Sequence, residues 1–271
     1  MELTKAIFLG IVQGLTEFLP VSSSGHLVIV EHILKVKMPG VSFEVCLHLG
    51  TFFSIVVIYW GKIVKMIKAT ILKACSLFSG GFDKALEEDW KLSYSIVLGT
   101  IPAGILGVAL KHQIENAFTS ISLVAVMLGI TGVILWLSGS AKTKKDNAGL
   151  LDTIVIGIAQ GFALLPGISR SGMTISAGMA RGIDKPKAAE FSFLLSLPAI
   201  LGASVLEFSN LAVERKFLFS NIDFYIVGFL TAFVFGYIAI RFLLRVIQKG
   251  KFRYFGFYCL AVAILVLLFV R

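Results

Sequence analysis

The chain has 271 residues, of which 57% are hydrophobic and only 15% are charged, and its mean hydropathy is +0.90. Soluble domains contain about 45–50% apolar and roughly 25% charged residues, so this composition excludes an ordinary soluble domain and predicts a polytopic membrane protein. The formal net charge is +9, and the basic residues cluster between the apolar runs. This pattern indicates membrane orientation and contact with anionic lipid rather than a nucleic-acid partner.

The first apolar run, residues 3–19, ends at Pro20, and a second helix is predicted to begin near Gly25. Each part is shorter than the roughly 20 residues that a helix needs to cross a bilayer core of about 30 Å. We therefore predict a re-entrant helical hairpin, whose broken backbone is tolerated only against protein or a wet cavity. A single kinked span is the alternative.

This first hairpin contains polar groups that an apolar run does not need. A carboxylate inside a membrane helix costs several kcal/mol unless it is paired, so it is a functional candidate by default. Hydroxyl groups at the start of a helix either cap it or help its free N–H groups to bind an anion. The alternative without a functional site is that the serines only cap the helix and that the histidine lies at the membrane interface. The residues concerned are Gln13, Glu17, Ser22, Ser23, Ser24 and His26.

Apolar spans follow in both halves of the chain, and a second interrupted run lies between them. Residues 152–165 end at Pro166 and Gly167, and a helix is predicted to restart near Ser171, as in the first hairpin. Basic residues in the connections 61–91, 139–150 and 242–253 place those segments in the cytoplasm and both chain ends outside. The six predicted spans are residues 43–60, 92–110, 119–138, 190–208, 222–241 and 254–270.

The second hairpin carries a cation where the first carries a carboxylate. Arg170 stands between Ser169 and Ser171 at a predicted helix start, with Thr174 one turn later. The guanidinium offers paired donors suited to phosphate or carboxylate, and the hydroxyl groups would complete an anion site. A snorkelling arginine at the headgroup level is the alternative.

The two hairpins align without a gap, residues 10–25 on residues 157–172. Each half then holds one hairpin and three spans, and because three is odd the second half is predicted to be inverted relative to the first. We predict an all-α membrane domain with about six transmembrane helices and two re-entrant hairpins, in an internal repeat of residues 1–145 and 146–271. The hairpins would meet, with Ser23 beside Arg170.

Four stretches of this chain resemble one known family. The segments QGLTEFLPVSSSGH (13–26) and LPGISRSGMT (165–174) are similar to the two signature motifs of the undecaprenyl-diphosphate phosphatases, the bacitracin resistance protein family. The stretches FEVCLHLGT (43–51) and EFSFLLSLPA (190–199) extend the resemblance over essentially the whole chain. Some members have Glu where this chain has Gln13, which leaves one carboxylate in the first motif here.

The resemblance implies a hydrolase of the bacterial plasma membrane. It would remove the terminal phosphate of undecaprenyl diphosphate and so regenerate the lipid carrier for peptidoglycan and other wall polymers, which supports cell shape. It also implies bacitracin resistance, because that antibiotic sequesters the diphosphate form. The resemblance favours a catalytic cavity that opens to the outer face. A homodimer is left open.

On this interpretation the residues receive the following roles. Arg170, with Ser169, Ser171 and Thr174, would bind phosphate oxygens, while Gln13, Ser22 and Ser24 would assist from the first hairpin. Glu17 would act in catalysis and hold Mg²⁺ or Ca²⁺, which prefer hard oxygen ligands. Ser23 is predicted to be the nucleophile and His26 its base, although His26 as nucleophile, or as base for water, is equally open. His48 is predicted to be only a packed polar residue.

A transporter is the strongest interpretation from another class. Inverted repeats with broken helices are typical of carriers, in which Arg170 would bind an anion or lipid headgroup and Glu17 would couple a cation. A carrier needs no nucleophile beside a base, so the pair Ser23 and His26 favours the enzyme. Hydrolysis combined with lipid flipping is a further option.

Overall fold

The computed structural model describes residues 3–34, 41–79, 83–139, 141, 145–213 and 222–270. Within these ranges the chain is helical and forms no strand, apart from one isolated bridge between Lys145 and Ile183. Parts of the predicted connections 139–150 and 209–221, including Lys142 and Lys144, lie outside the described residues. The all-α fold class predicted from composition is confirmed.

The described residues form eleven α-helices and one 3₁₀ turn at Lys84–Leu86. In chain order the helices are α1 (Leu3–Phe18), α2 (Ser23–Leu34), α3 (Val41–Ser79), α4 (Glu87–Ala109), α5 (Lys111–Ala117), α6 (Ile121–Ser138), α7 (Leu150–Phe162), α8 (Arg170–Ala180), α9 (Lys185–Val213), α10 (Ile222–Gln248) and α11 (Tyr254–Phe269).

Five of the described helices are long and apolar enough to cross a membrane, namely those containing residues 42–76, 84–109, 121–138, 185–206 and 222–248. The sixth predicted span is α11, an apolar helix of 16 residues, which is shorter than the usual span. The predicted connection 61–91 is partly helical, because α3 bends at Tyr59 (φ −105°, ψ 16°), where the predicted span ends, and then continues to Ser79. Its Lys, Ala and Leu residues are good helix formers, so the helix extends beyond the apolar run.

The packing pairs each hairpin with a long helix of the other half. The first hairpin helix, α1, packs along α10, and the second hairpin helix, α7, packs along α4. Helix α3 packs against α9 and α10, and α6 packs against α11. These pairings are those that an internal repeat would produce, while the division at residue 145 and the inverted insertion stay predictions.

Glycine permits the close approach of α7 to α4. A Cβ atom added to Gly157 would lie only 2.4 Å from the carbonyl oxygen of Gly99, which is backbone and cannot move aside easily. We expect Gly157→Ala to lower the free energy of unfolding by about 1–3 kcal/mol, as overpacking does.

The matched control for this prediction is Gly104→Ala on α4, where an added Cβ would meet nothing within 4 Å. Unfolding of both variants in mixed detergent micelles provides the measurement. Equal stability of the two variants would contradict the close-approach argument.

Ion pairs fix the base of the second hairpin. The buried carboxylate of Asp152, near the start of α7, lies 3.1 Å from Nζ of Lys145 and 2.7 Å from Nε of Arg181. Arg181 follows the last residue of α8, so one carboxylate joins both ends of the α7–α8 hairpin. These ion pairs therefore tie together the ends of α7 and α8 that lie away from the hairpin tip.

Candidate active site

The tip of the first hairpin is a sharp turn that presents three hydroxyl groups. Helix α1 ends at Phe18 because Pro20 cannot continue it and disfavours helical backbone at Leu19. Ser22 adopts a left-handed conformation with φ of 69°, and its Oγ accepts a hydrogen bond from Gly25 N at 3.2 Å. The chain therefore reverses within four residues and begins α2 at Ser23.

The tip of the second hairpin repeats this design. Ser169 caps α8, accepting a hydrogen bond from Gly172 N at 3.1 Å, and Arg170 is the first residue of the helix. Gly167 has a φ of 92°, and a Cβ there would lie 2.3 Å from Val124 O, so the turn requires glycine. Two helix N-termini thus begin at the hairpin tips, and N-termini favour anions.

The two tips touch each other and are held by helices from the opposite halves. Ser171 Oγ donates to Leu19 O at 3.3 Å, and a Cβ on Gly25 would lie 3.0 Å from Gly167 Cα. Thr131 on α6 donates to Gly167 O at 3.0 Å, while Cys259 on α11 donates to Pro20 O at 3.7 Å. The predicted meeting of the hairpins is confirmed.

Glu17 is the centre of the contact between the hairpins. Its Oε1 accepts a hydrogen bond from Arg170 Nη2 across the interface. Its Oε2 accepts one from Ser23 Oγ at 2.6 Å and one from Gln13 Nε2 at 2.9 Å. Only 5% of the Glu17 side chain is exposed, so the guanidinium is what compensates its buried charge. Ser23 and Arg170 are therefore neighbours through the two oxygens of one carboxylate.

A cavity of about 380 Å³ opens beside this carboxylate. Its polar wall holds six of the predicted site residues, which are Glu17, Ser22, Ser23, Ser24, Ser169 and Arg170. The remaining wall is mostly apolar and comes from α3, α4, α9 and the second hairpin, with Ala103, Leu164, Ile168 and Ile200 among its residues. The site therefore combines a charged end for an anion with an apolar surface for a hydrocarbon chain.

His26 does not contact Ser23, contrary to the prediction that it would accept the serine proton. Its Nδ1 lies 2.8 Å from the carbonyl oxygen of Ser22, and its Nε2 lies 2.8 Å from the hydroxyl oxygen of Tyr258. A carbonyl only accepts, so Nδ1 donates and Nε2 of a neutral ring accepts from Tyr258. Both ring nitrogens therefore have hydrogen-bond partners, and the ring of His26 lies against α11 and not beside the Ser23 hydroxyl. Its atoms also lie outside the cavity wall.

Three further predicted residues support the site without lining the cavity. Ser171 bonds to the opposite hairpin, as described above, and also lies 3.2 Å from Ser169 Oγ. Thr174 is buried and shares a 2.6 Å hydrogen bond with Ser192 Oγ on α9, so its hydroxyl faces a neighbouring helix. Gln13 is buried and reaches the site through Glu17.

The cavity also holds four polar residues that were not predicted to belong to the site, namely Glu44, His48, Gln160 and Ser204. His48 Nδ1 lies 3.0 Å from Gln13 Nε2 and 3.7 Å from Glu17 Oε2, so its interpretation as a merely packed residue is wrong. Glu44 and His48 are four residues apart in an apolar run, which puts both on one helix face. That spacing, and the alignment of Gln160 with Gln13, were the available signals.

The oxygen atoms that line the cavity are suited to bind a divalent cation only if substrate oxygens complete its coordination. Among the described residues no three His, Cys, Asp or Glu side chains cluster closely enough to form a closed metal site. Two carboxylates, Glu17 and Glu44, face the same cavity, and the buried Oε1 of Gln13 has no hydrogen-bond partner. One or two carboxylates completed by phosphate oxygens is the arrangement that Mg²⁺ uses in phosphoryl-transfer sites.

This arrangement can bind a phosphate anion and deprotonate a hydroxyl group beside it. Arg170 and two helix N-termini supply positive potential and N–H donors, while Glu17 accepts a hydrogen bond from the Ser23 hydroxyl. The carboxylate and the serine are in the geometry that general-base activation of a nucleophile requires.

Comparisons with known proteins point to one family. A family model described as bacitracin resistance protein BacA matches residues 6–265. The chain is 41% identical to an undecaprenyl-diphosphatase of Carboxydothermus hydrogenoformans, over 98% of this chain and 98% of the relative. It is 42% identical to one of Desulfosudis oleivorans, over 96% and 95%, and 40% identical to one of Methanobrevibacter smithii, over 98% and 97%.

Proposed function

The chain belongs to the bacitracin resistance protein BacA family, and from this premise we propose that it is an undecaprenyl-diphosphatase. It hydrolyses undecaprenyl diphosphate to undecaprenyl phosphate and inorganic phosphate. This reaction recycles the lipid carrier for peptidoglycan synthesis and confers bacitracin resistance. The observation that carries the proposal is the Ser23–Glu17–Arg170 contact at the charged end of a largely apolar cavity.

In the proposed reaction Ser23 Oγ attacks the terminal phosphorus atom. Glu17 Oε2, at 2.6 Å, takes the hydroxyl proton as the new O–P bond forms. The bond from phosphorus to the bridging oxygen breaks, and undecaprenyl phosphate leaves. Glu17 gives that proton up to the departing phosphate oxygen or to solvent and then takes one from the water that attacks the phosphoserine. The bond from phosphorus to Oγ breaks, inorganic phosphate leaves, and Glu17 returns the proton to Ser23 Oγ. Direct attack by water on the lipid diphosphate, with the same base, is the simpler variant.

In the proposed complex the second hairpin binds the headgroup. Arg170 donates two hydrogen bonds to phosphate oxygens, assisted by Ser169 and the N–H groups at the start of α8. Phosphoryl transfer depends chiefly on positioning and charge stabilisation, so these donors account for much of the catalysis. Ser22 and Ser24 complete the polar wall from the first hairpin, while the isoprenoid chain follows the apolar wall toward α9.

A divalent cation is part of the proposal. Glu17 and Glu44 would hold Mg²⁺ or Ca²⁺ together with diphosphate oxygens, and the ion would neutralise the charge of the headgroup. The protein supplies the carboxylates, and Arg170, in contact with Glu17, supplies a second, permanent positive charge.

The proposal is tested by phosphate release from undecaprenyl diphosphate, using purified protein in detergent with and without added Mg²⁺ or Ca²⁺. The wild type is expected to release phosphate and to respond to the cation. Glu17→Gln removes the base and a cation ligand, so kcat should fall by about 10²–10⁴-fold and the cation response should weaken. Transport of the lipid by the wild type without any phosphate release would contradict the proposal.

His26 is proposed to position Ser23 through the Ser22 carbonyl. His26→Ala removes the hydrogen bond that steadies the left-handed turn, so kcat should fall by about 10²-fold. Tyr258→Phe keeps that hydrogen bond and removes only the contact to Nε2, so it should lose much less activity. Comparison of kcat for both variants provides the measurement, and an equal loss would contradict the positioning role.

The several apolar helices make this a multi-pass membrane protein. We propose the bacterial plasma membrane as its location, because its substrate carries wall precursors there. Membrane lipids are its surroundings, and the homodimer stays a prediction.

A further inference from the structure

We propose that the side-chain amide of Gln160 binds the diphosphate headgroup of the substrate, an inference that rests on the proposed function. Gln160 lies in the last turn of α7, one helix before Arg170, and it lines the catalytic cavity. It is only 2% exposed.

Gln160 is unusual because both polar atoms of its amide, Nε2 and Oε1, are buried without a hydrogen-bond partner. Rotating the amide by 180° would exchange the two atoms and leave both unpaired, so the assignment of nitrogen and oxygen does not matter. Among the described buried side chains the only other unpaired polar atoms are Gln13 Oε1 and Thr153 Oγ1. More than nine in ten buried polar groups in proteins are paired with protein or with water, so a wholly unpaired amide on a cavity wall takes its partner from the cavity.

The cavity restricts what that ligand is. The lipid chain offers no hydrogen-bonding atoms, and the apolar wall offers none either, so hydrocarbon beside Gln160 would leave the amide unpaired. The diphosphate headgroup, held by Ser169 and Arg170 in the same cavity, offers several acceptor oxygens. Nε2 donates to one of them, and Oε1 accepts from a protonated phosphate oxygen or from water bound to the headgroup.

The internal alignment explains why an amide stands at this position. Gln160 aligns with Gln13, which donates to Glu17 in the first hairpin. The second hairpin has no carboxylate in the position of Glu17, where Leu164 stands instead. The amide of Gln160 is therefore free to serve the substrate, as a neutral donor that adds no charge to the site.

The test replaces the amide with an apolar side chain of similar size. Gln160→Leu should lower kcat/KM for undecaprenyl diphosphate by about 10- to 100-fold, because a hydrogen bond to a charged group is lost. The same variant should be thermally more stable than the wild type without ligand, because it removes an unpaired buried amide. A structural role for Gln160 predicts the opposite, a parallel loss of stability and activity, and that result would overturn the proposal.

The matched control is Thr153→Val on the same helix. Thr153 is also buried with an unpaired hydroxyl, but it lies against Gly99 of α4 and outside the cavity wall. This variant should gain stability in the same way while its kcat/KM stays at the wild-type value. An equal loss of activity in both variants would show that polarity on α7, not headgroup binding, is responsible.

Binding is measured separately from turnover with farnesyl diphosphate as the probe. The probe should raise the unfolding temperature of the wild type and of Thr153→Val, and raise that of Gln160→Leu less. If the wild type fails to hydrolyse lipid diphosphates but this difference persists, the proposed function is wrong and the headgroup contact stands. If the probe stabilises all three proteins equally, the contact does not exist, whatever the turnover.

Discussion

Ser23→Ala is expected to lower phosphate release by at least about 10³-fold, the largest effect of any single hydroxyl deletion in this protein. Ser23 is the only one of the three serines at the first tip whose Oγ donates to Glu17. Alanine keeps the helix start and removes the nucleophile. The measurement is the single-turnover rate with radiolabelled undecaprenyl diphosphate, together with a search for phosphate attached to Ser23 after acid quenching.

Ser24→Ala is the matched control, because its hydroxyl lines the same cavity but contacts only Ser22 Oγ, at 3.3 Å. It should lose far less activity than Ser23→Ala. Retention of more than about one tenth of the wild-type rate by Ser23→Ala would refute a covalent serine intermediate and favour direct attack by water, with Glu17 as base.

Arg170→Ala is expected to reduce kcat by about 10²–10³-fold and to raise KM as well. The guanidinium compensates the buried charge of Glu17 and, in the proposed reaction, also binds the phosphate. Arg170→Lys keeps the charge but lacks the paired donors, so it should recover stability better than activity. The measurement is steady-state kinetics on each variant, alongside thermal unfolding in detergent.

Two controls separate the tasks of Arg170. The double variant Arg170→Met with Glu17→Gln removes both charges, so stability should return while activity stays lost. Arg241→Ala deletes a cation that stacks on Tyr237, 5.1 Å from the ring centre and away from the cavity, and should leave kcat unchanged. Near-wild-type kinetics of Arg170→Ala would refute the phosphate-binding role.

Local sequence signals predicted the two hairpins well. Pro20 follows the last residue of α1 closely, whereas α7 ends at Phe162, four residues before Pro166 and Gly167. Beyond these breaks Ser23 begins α2 and Ser169 caps α8. These signals succeed because helix termination and capping depend on a few consecutive residues. The predicted span 43–60 ends at a kink and not at a helix end. Tyr59 has non-helical dihedral angles and Gly61 follows it, but the chain resumes its helix and continues to Ser79.

Partners that come from different helices were less accessible to sequence reasoning. Ser23 and His26 have the spacing of one helical turn, yet in the structure Ser23 hydrogen-bonds to Glu17 and His26 hydrogen-bonds to Tyr258. His48 was dismissed because nothing in its own helix shows that Gln13 and Glu17 lie beside it. Spacing along one helix states which face a residue occupies, but it does not state what that face meets.

Sequence alone was enough to place this protein in a membrane, to predict two helical hairpins, and to select Glu17, Ser23 and Arg170 as candidate site residues. Composition, helix breakers and the cost of buried charge are properties of short segments, and they are readable without coordinates. The packing of the helices was needed to show that Glu17 joins Ser23 to Arg170, that His26 bonds to the Ser22 carbonyl, and that Gln160 lines the cavity unpaired. Those contacts depend on how separate helices pack as rigid bodies, which no local pattern records.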